Sequence, residues 1–325
     1  MKAKTSLSII ALLAAAVASL CLGAAPIGPG QLFDAILSGP VTTAGRIFWY
    51  VRLPRTAACL LAGAALSASG CVIQNVLANP LASPNIIGVN AGAGLAVTVC
   101  CALGALSGWT LAAAAFGGAF LAVLAVSAAA RAVGASRTTV ILAGVAVNAT
   151  LGAISDTVTN LVPDAGMLSS DFRVGGFGSV VPARLVPAGI LILLALAAVC
   201  LLHNELEILS LGDDAARSLG LNAQRMRTVF LALAAVLCGA AVSFAGLLGF
   251  VGLIVPHAVR RFAGTRCRAL LPLCAVWGAA FVTVCDILAR LAFRPKELPV
   301  GILLSALGGP FFLYILSKRG RSNGC

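Results

Sequence analysis

The sequence predicts an all-α polytopic membrane protein with about ten transmembrane helices, and two observations carry this prediction. Of the 325 residues, 60% are hydrophobic and only 10% are charged. A soluble chain of this length cannot keep so much apolar surface from water, because a single core stops growing at about 250–300 residues. Uncharged windows of roughly 20 residues, the length that crosses a bilayer, also recur along the whole chain. A secreted enzyme and a single-pass anchor protein are therefore excluded.

The apolar segments, taken in chain order, give ten candidate spans within a single transmembrane domain covering 1–325. The first span follows Lys2 and Lys4 and ends in small residues, which is also the layout of a cleavable signal peptide. Because nine further spans follow it, we expect it to be retained as a helix. The candidate spans are 6–24, 57–77, 86–106, 109–130, 139–161, 185–203, 228–246, 248–262, 269–290 and 299–317.

One apolar stretch, 228–259, is too long for a single span. As a straight helix its roughly 32 residues would extend about 48 Å, against about 30 Å of hydrocarbon. Gly246 and Gly249 mark the expected break, and Pro256 shortens the second piece. The sequence alone leaves open whether 228–262 forms two full spans or a re-entrant element.

Basic residues outnumber acidic ones by 22 to 10, and the formal net charge is +12. Such a charge can indicate nucleic-acid binding, but these residues form short clusters between apolar runs, which is typical of topology signals. With both termini inside, the inner segments contain 14 of the 22 basic residues. We therefore expect a multi-pass protein of the inner membrane with cytoplasmic termini and no nucleic-acid partner. The eight outer basic residues need a separate explanation.

Cysteine and glycine follow patterns of helix packing. Eight of the eleven cysteines, each inside an apolar run, form no CxxC pair, so we interpret them as buried thiols; they are Cys59, Cys71, Cys100, Cys101, Cys200, Cys238, Cys274 and Cys285. Small residues four apart let helix backbones approach closely in lipid. Such pairs are Gly63 with Ser67, Gly88 with Gly92, and Gly301 with Ser305.

The chain contains no motif for nucleotide hydrolysis, metal binding or nucleophilic catalysis. A phosphate-binding loop requires a Gly-Lys dipeptide, and none of the four lysines follows a glycine. HExxH and paired-cysteine motifs are also absent, and two histidines, His203 and His257, are too few for most metal centres. The one GxSxG string, 320–324, follows the last candidate span and is not the strand-to-helix elbow of a hydrolase. We interpret His257 as a structural residue. The sequence thus predicts no catalytic residue, no metal site and no cofactor of its own.

A set of short strings, in a fixed order between about residues 46 and 317, resembles one family of transport proteins. The strings are Arg52-Leu53-Pro54-Arg55, Gln74, Asn79-Pro80-Leu81-Ala82-Ser83-Pro84, Gly88, Gly92-Ala93, Gly249-Phe250-Val251-Gly252-Leu253, Pro256-His257 with Arg260, Asp286 with Arg290, Glu297-Leu298-Pro299-Val300-Gly301, and Gly308-Gly309-Pro310. Together they resemble the FecCD-type permease subunits of ABC importers for iron-siderophores, haem and cobalamin. Two departures exist: Ala78 stands where many relatives carry a basic residue, and the run 172–179 replaces a tryptophan that is common ahead of the outer Gly-Ser. Within that run, Gly175-Gly176-Phe177-Gly178 resembles the cobalamin branch.

The resemblance implies a type II ABC importer permease of ten helices that works as a homodimer or a heterodimer, surrounded by membrane lipid. Two separate ATP-binding subunits would dock on the cytoplasmic face, and a substrate-binding protein would dock outside. The outer arginines Arg52, Arg55 and Arg290 match family positions that receive acidic residues of the binding protein. The residues expected beside the translocation path or its gate are Gln74, Asn79, Pro80, Gly88 and Gly92.

The connection 204–227 is the longest inner loop, and its pattern predicts a short helix. Asp213 can cap the first turn, Asp214 suits the positive end of the helix dipole, and Gly220 suits a left-handed stop. The resemblance implies that this coupling loop contacts the ATPase. Its candidate contact residues are Asp213, Asp214, Ala215, Arg217, Leu219 and Gly220, with Ala215, Ala216 and Leu219 expected to form a small apolar face.

Two other function classes stay open from the residues alone. Intramembrane carboxylates can mark a proton path, and Asp156 and Asp286 both lie within candidate spans. A proton-coupled secondary transporter is therefore the main alternative, and a membrane enzyme is the third class. Asp286 and Arg290 are four residues apart on one helix face, so we also expect them to form an ion pair.

Overall fold

Helices dominate the chain because a segment in hydrocarbon must satisfy every backbone group internally. The structure is a computed structural model that describes residues 2–23, 28–134, 136–293 and 296–322. Over these ranges all regular structure is helical. The α-helices are α1 Lys2–Cys21, α2 Pro29–Ser38, α3 Thr43–Ile47, α4 Leu53–Val76, α5 Val89–Ala102, α6 Gly108–Ala132, α7 Arg137–Leu161, α8 Pro163–Val174, α9 Pro182–Leu201, α10 His203–Leu211, α11 Asp213–Ser218, α12 Ala223–Ala245, α13 Val251–Ala263, α14 Cys267–Leu291 and α15 Val300–Ser322.

Each of the ten candidate spans coincides with a helix, but not every helix is long enough to cross a bilayer. Six continuous helical segments have the required length and hydropathy: Thr43–Val76, Gly108–Ala132, Arg137–Leu161, Pro182–Leu201, Ala223–Ala245 and Cys267–Leu291. Three more apolar segments are shorter: Ser6–Cys21, Val89–Ala102 and Val300–Ile315. The multi-pass character is confirmed, whereas the count of ten full crossings stays a prediction. Residue 24, the end of the first candidate span, lies outside the described residues.

The long apolar stretch 228–259 breaks where its glycines predicted. Helix α12 ends at Ala245, Gly246 follows with φ 69°, and α13 begins at Val251 after Phe250 with φ 64°. Helix α13 has 13 residues, which corresponds to about 20 Å and is less than the hydrocarbon thickness. The second piece is therefore too short to cross the bilayer as a helix by itself.

Helix α4 lies at the centre of the fold, and glycines set how closely its neighbours approach. A Cβ atom on Gly63 would collide with the backbone of Gly278 in α14, and one on Gly278 would collide with Gly63. Gly92 of α5 and Gly118 of α6 meet in the same reciprocal way. The small-residue prediction for Gly63 and Gly92 is thus confirmed, and the reason is direct backbone contact, which any larger residue would prevent.

Several short helices were not predicted from the sequence. Helices α2 and α3 precede α4, and α3 continues into it through a π-helical turn, Phe48–Arg52, so the second span begins well before residue 57. Helix α8 follows α7 directly, with Pro163 in its first turn and Gly175 after its last residue. The inner connection contains α10 as well as the expected α11.

The alternation of helix directions brings charged residues together at two opposite ends of the molecule. We call the first the Arg55 end, which comprises Arg52, Arg55, Asp286, Arg290 and Glu297. We call the second the Asp213 end, which comprises α10, α11 and the side chains of Arg137, Asp213 and Arg227. These two ends contain the three predicted docking arginines and four of the six predicted ATPase-contact residues.

Candidate docking and coupling sites

Arg55 is the centre of an ion-pair cluster between α4 and α14. Its Nε and Nη2 atoms donate hydrogen bonds of 3.1 and 2.9 Å to the two carboxylate oxygens of Asp286. Its Nη1 atom lies 2.6 Å from Oε2 of Glu297. Asp286 also pairs with Arg290 at 3.0 Å, as predicted from their spacing. The buried Asp286 carboxylate, only 1% exposed, is therefore compensated by two guanidinium groups.

Arg52 and Arg290 occupy a different environment from the one the sequence suggested. Both are only 4% exposed. Arg52 donates hydrogen bonds to the carbonyls of Leu20 and Cys21, and Arg290 donates to the carbonyl of Leu22 and to Oγ of Ser19. These acceptors lie at the end of α1, where carbonyls lack helical partners and attract cations. Arg52 and Arg290 therefore hold the end of α1 in the single chain, and a role for them in docking stays a prediction.

A cavity of about 450 Å³ opens beside Arg55 and was not anticipated from the sequence. Its charged lining residues are Arg55, Asp171, Arg184 and Glu297, and its wall includes the glycine-rich run 175–178. The backbone there is fixed, since the amide of Gly176 donates to the carbonyl of Ala245 at 2.8 Å and the amide of Leu247 donates to Phe172 at 2.9 Å. The Arg55 end thus contains a preformed, charge-lined concavity.

At the opposite end, Asp213 joins the inner connection to two long helices. Its Oδ1 atom lies 2.6 Å from Nη2 of Arg227 in α12 and 3.8 Å from Nε of Arg137 in α7. Arg137 also donates a 2.6 Å hydrogen bond to the carbonyl of Leu209 at the end of α10. Because Arg227 is only 4% exposed, its charge needs this partner. Movement of α11 would therefore act directly on both helices.

Helix α11 is present, but two details of its prediction are corrected. Gly212 precedes the helix, and Asp213 makes no cap; its carboxylate bonds to Arg227 instead. Ala216 is fully buried against the protein rather than on the outer face. Leu219 is 63% exposed and Ala215 is partly exposed, four residues apart on one side. Gly220 has φ 78°, which confirms the left-handed stop.

The FecCD transport family matches residues 11–318. A relative described as the vitamin B12 import system permease protein BtuC of Shigella sonnei is 38% identical over 97% of this chain and 94% of its own length. The BtuC protein of Escherichia coli K12 is 37% identical over the same shares. The chain belongs to the FecCD transport family. This confirms the resemblance to ABC importer permeases that the ordered motifs indicated.

Solved structures agree with this membership. A structure described as an inward-facing conformation of a metal-chelate type ABC transporter superposes on 98% of this FecCD-family chain and on all of its own chain, with a TM-score of 0.87 and 26% identity. A second structure, PsaBC from Streptococcus pneumoniae in complex with Fab, has a TM-score of 0.57, 17% identity and coverage of 80% of this chain, and supports the fold alone. The permease fold is therefore shared across divergent sequences.

The predicted path or gate residues of this family member form a tightly packed turn between α4 and α5. Gln74 is 2% exposed; its Nε2 donates to the carbonyl of Gly252 at 3.0 Å, and its Oε1 accepts from Arg260. Asn79 accepts the amide of Leu81, next to Pro80. Gly88 has φ 90° and starts α5, while Gly92 contacts α6. None of the five lines the described cavity, so their role in a path stays a prediction.

The turn between α4 and α5 also contacts α7, which the sequence did not reveal. Nδ2 of Asn148 donates to the carbonyl of Asn85 at 2.7 Å, and Gly144 lies directly against the carbonyl of Ile86. The same helix begins with Arg137 at the Asp213 end. Helix α7 is thus held at the inner connection and at this turn, although most of its surface is exposed in the single chain.

The residues of the alternative proton path are placed apart. Asp286 is enclosed by Arg55 and Arg290 at the Arg55 end. Asp156 lies on an exposed position of α7, which does not contact α14 in the described residues to any appreciable extent. No chain of titratable groups joins the two among the described contacts. His257 contacts the ring of Phe311 edge to face, in keeping with its structural interpretation.

Proposed function

We propose that this chain is the permease subunit of an ATP-driven importer that carries a metal chelate across the inner membrane. The observation that carries the proposal is the family match over residues 11–318 together with 38% identity to a vitamin B12 import permease over nearly the whole chain. Cobalamin is the first ligand to test because the relatives are named for it; haem and ferric siderophores are the further candidates. The chain contributes a path and a two-state gate.

The proposed assembly contains a second permease copy, two ATP-binding subunits and an external binding protein. We orient the Asp213 end and both termini toward the cytoplasm, since the inner segments contain most of the basic residues. The Arg55 end then faces outward. The proposal assigns energy supply to the ATPase, because the sequence of this chain contains no phosphate-binding loop.

Reconstitution tests this function directly. Proteoliposomes containing the permease, its ATPase and its binding protein should accumulate cyanocobalamin, haem or a ferric siderophore only when ATP is present on the side of the membrane where the ATPase is bound. Vanadate should stop this uptake. The purified permease alone should neither bind nor hydrolyse ATP. Uptake that follows an imposed proton gradient without the ATPase would contradict the proposal and support the secondary transporter.

We propose that α11 and Leu219 form the contact with the ATPase. Leu219 and Ala215 present an apolar surface on an element that Asp213 connects to α7 and α12. Replacing either residue by Asp would place an unpaired charge in the contact, which commonly costs several kcal/mol. ATP hydrolysis coupled to transport should then fail while membrane insertion persists.

A matched control exists for this experiment. Leu103 is 79% exposed and lies in the turn between α5 and α6. This turn is at the opposite end of α5 from the turn that joins α4 to α5. Leu103→Asp introduces the same charge on the same residue type away from α11, and should leave coupled hydrolysis unchanged. Intact transport in both Ala215→Asp and Leu219→Asp would contradict a contact with the ATPase and leave 204–227 as a linker between two helices.

For docking of the binding protein, we now propose Arg55 as the contact residue, with Arg52 and Arg290 in a supporting role. Arg55 lines the cavity and has an accessible partner in Glu297, whereas the other two arginines hold the end of α1. Arginine suits this contact because its planar fork binds carboxylates in a fixed orientation. Arg55→Glu should abolish capture of the loaded binding protein, and Arg184→Glu, which changes another arginine of the cavity lining, should weaken it less.

A further inference from the structure

Arg55 has one permanent partner and one accessible partner. Asp286, which is 1% exposed, holds the Nε and Nη2 atoms. The remaining nitrogen, Nη1, is held by Glu297, whose side chain is 37% exposed. An exposed carboxylate contributes little to stability even at 2.6 Å, because water and salt compete for both ions. The Nη1 side of Arg55 is therefore the part of the cluster that another carboxylate can reach.

The backbone around Glu297 is held independently of its side chain. The amide of Leu298 donates to the carbonyl of Ala289 at 3.2 Å, and the amide of Gly301 donates to the carbonyl of Gly175 at 3.2 Å. Gly301 also packs against the carbonyl of Val174 so closely that no Cβ fits there. The Glu297 side chain can therefore leave Arg55 by changing rotamer, without displacing the segment that leads into α15.

The space beside this ion pair is large enough for an incoming side chain. Arg55 and Glu297 both line the cavity of about 450 Å³, which also presents Arg184 on its wall. This volume lies at the lower end of the range of protein ligand sites. Because Asp286 holds Nε and Nη2, Nη1 is the Arg55 atom with which an incoming carboxylate can pair in place of Glu297.

We infer that Glu297 is an internal substitute for an acidic side chain of the docking protein, and that docking exchanges one carboxylate for the other on Arg55. The inference rests on the proposed docking function. It follows from the partners of Arg55: Asp286 is buried and satisfies a second arginine, so Glu297 is the only partner of Arg55 in the described residues that can leave without uncovering a buried charge. After the exchange Arg55 still has two carboxylate partners, and Glu297 is solvated.

The exchange has two measurable consequences. Competition by Glu297 lowers the affinity of the permease for its binding protein. It also makes the affinity less sensitive to salt, since one ion pair is broken as another forms, whereas docking to an unoccupied arginine creates a net ion pair that salt screens. The same exchange keeps the buried Asp286 neutralised throughout.

The test compares Glu297→Gln with Asp171→Asn in the full permease–ATPase complex. Both variants remove one negative charge from the same cavity, but only the first removes a carboxylate from Nη1 of Arg55. The probe is the substrate-loaded binding protein that stimulates ATP hydrolysis by the wild-type complex. Glu297→Gln should bind it about two- to fivefold more tightly at low salt, corresponding to an exposed pair, and with a steeper dependence on salt. Asp171→Asn should retain the wild-type salt dependence. Glu297→Asp, which keeps a carboxylate at this position, should still compete with the binding protein for Arg55.

The outcomes separate the inference from the function on which it rests. If no binding protein binds or stimulates the wild-type complex, the docking function and the inference both fail. If the wild type binds but Glu297→Gln and Asp171→Asn change the affinity equally, the effect is general electrostatics and only the inference fails. Weaker binding by Glu297→Gln, with an unchanged melting temperature, would make Glu297 a direct docking contact and also overturn the exchange.

Discussion

The Arg55 end and the Asp213 end are both built around one aspartate shared by two arginines, but the two aspartates differ in depth. Asp286 is 1% exposed and belongs to α14, a long helix packed against α4. Asp213 is 33% exposed and begins α11, a helix of six residues. The comparison teaches that a similar set of charges has different structural effects: the first cluster fixes two spans to each other, and the second connects a short helix, α11, to two spans.

The largest effect is expected from Asp286→Asn. This substitution leaves Arg55 and the buried Arg290 without their common carboxylate, and removal of one member of a buried ion pair costs about 3–5 kcal/mol. Thermal unfolding of the purified permease in detergent measures the loss. Asp213→Asn serves as the comparison variant. Equal melting temperatures for the two variants would contradict the view that the more deeply buried aspartate contributes more to stability.

Gly63→Leu should have the next largest effect, and only at the Arg55 end. A side chain at this position collides with the backbone of Gly278 and would force α14 away from α4, separating Arg55 from Asp286. Overpacking of this kind costs about 1–3 kcal/mol or more. Gly117→Leu in α6 is the control, because nothing lies within 4 Å of its Cβ position. Similar unfolding temperatures for both variants would show that the α4–α14 contact yields easily.

Asp213→Asn should destabilise the protein by only about 1–2 kcal/mol, because Asp213 is partly hydrated although Arg227 is buried. Its effect on function should be larger: α11 loses its connections to α7 and α12, so ATP hydrolysis should continue without substrate transport. Measuring hydrolysis and uptake in the same proteoliposomes checks this. Normal transport in the variant would show that Asp213 is not needed to couple ATP hydrolysis to transport.

The smallest structural effect is expected from Arg217→Ala. Its pair with Asp214 spans 4.0 Å between exposed side chains, so no change in melting temperature is expected. If the surface of α11 binds the ATPase, assembly of the complex should weaken while the isolated permease is unaffected. A drop in the melting temperature of the isolated permease would mean that α11 is more firmly integrated than its exposure indicates.

The sequence predicted those parts of the site that depend on neighbours along the chain. The Asp286–Arg290 pair, the stop at Gly220 and the break near Gly246 all follow from local spacing or backbone conformation. Helix α8 had equally local signals, Pro163 at its start, Asp164 in its first turn and Gly175 at its end. It is missing from the prediction because the spans were predicted from long apolar runs, and polar residues interrupt this helix.

Residues far apart in the chain account for what the sequence could not supply. Arg55 and Glu297 are separated by 242 residues, and Arg137 and Leu209 by 72. Arg52 and Arg290 matched docking positions by motif, yet both end in contact with α1, because the carbonyls at the end of that helix need donors. A motif gives the residue type at a position, and only packing decides what that residue contacts.

The amino-acid sequence by itself determined the environment and the class of this protein. Its apolar windows require helices in a membrane, its basic clusters favour an orientation, and its ordered strings identify the FecCD family, since each depends on composition or local spacing. The tertiary structure alone decided which charges are buried, which carboxylate can leave Arg55, and how Asp213 connects α11 to α7 and α12. The physical reason is that a charge's partner and its exposure to water are set by which helices meet, and helices meet where glycines such as Gly63 and Gly278 allow backbone contact.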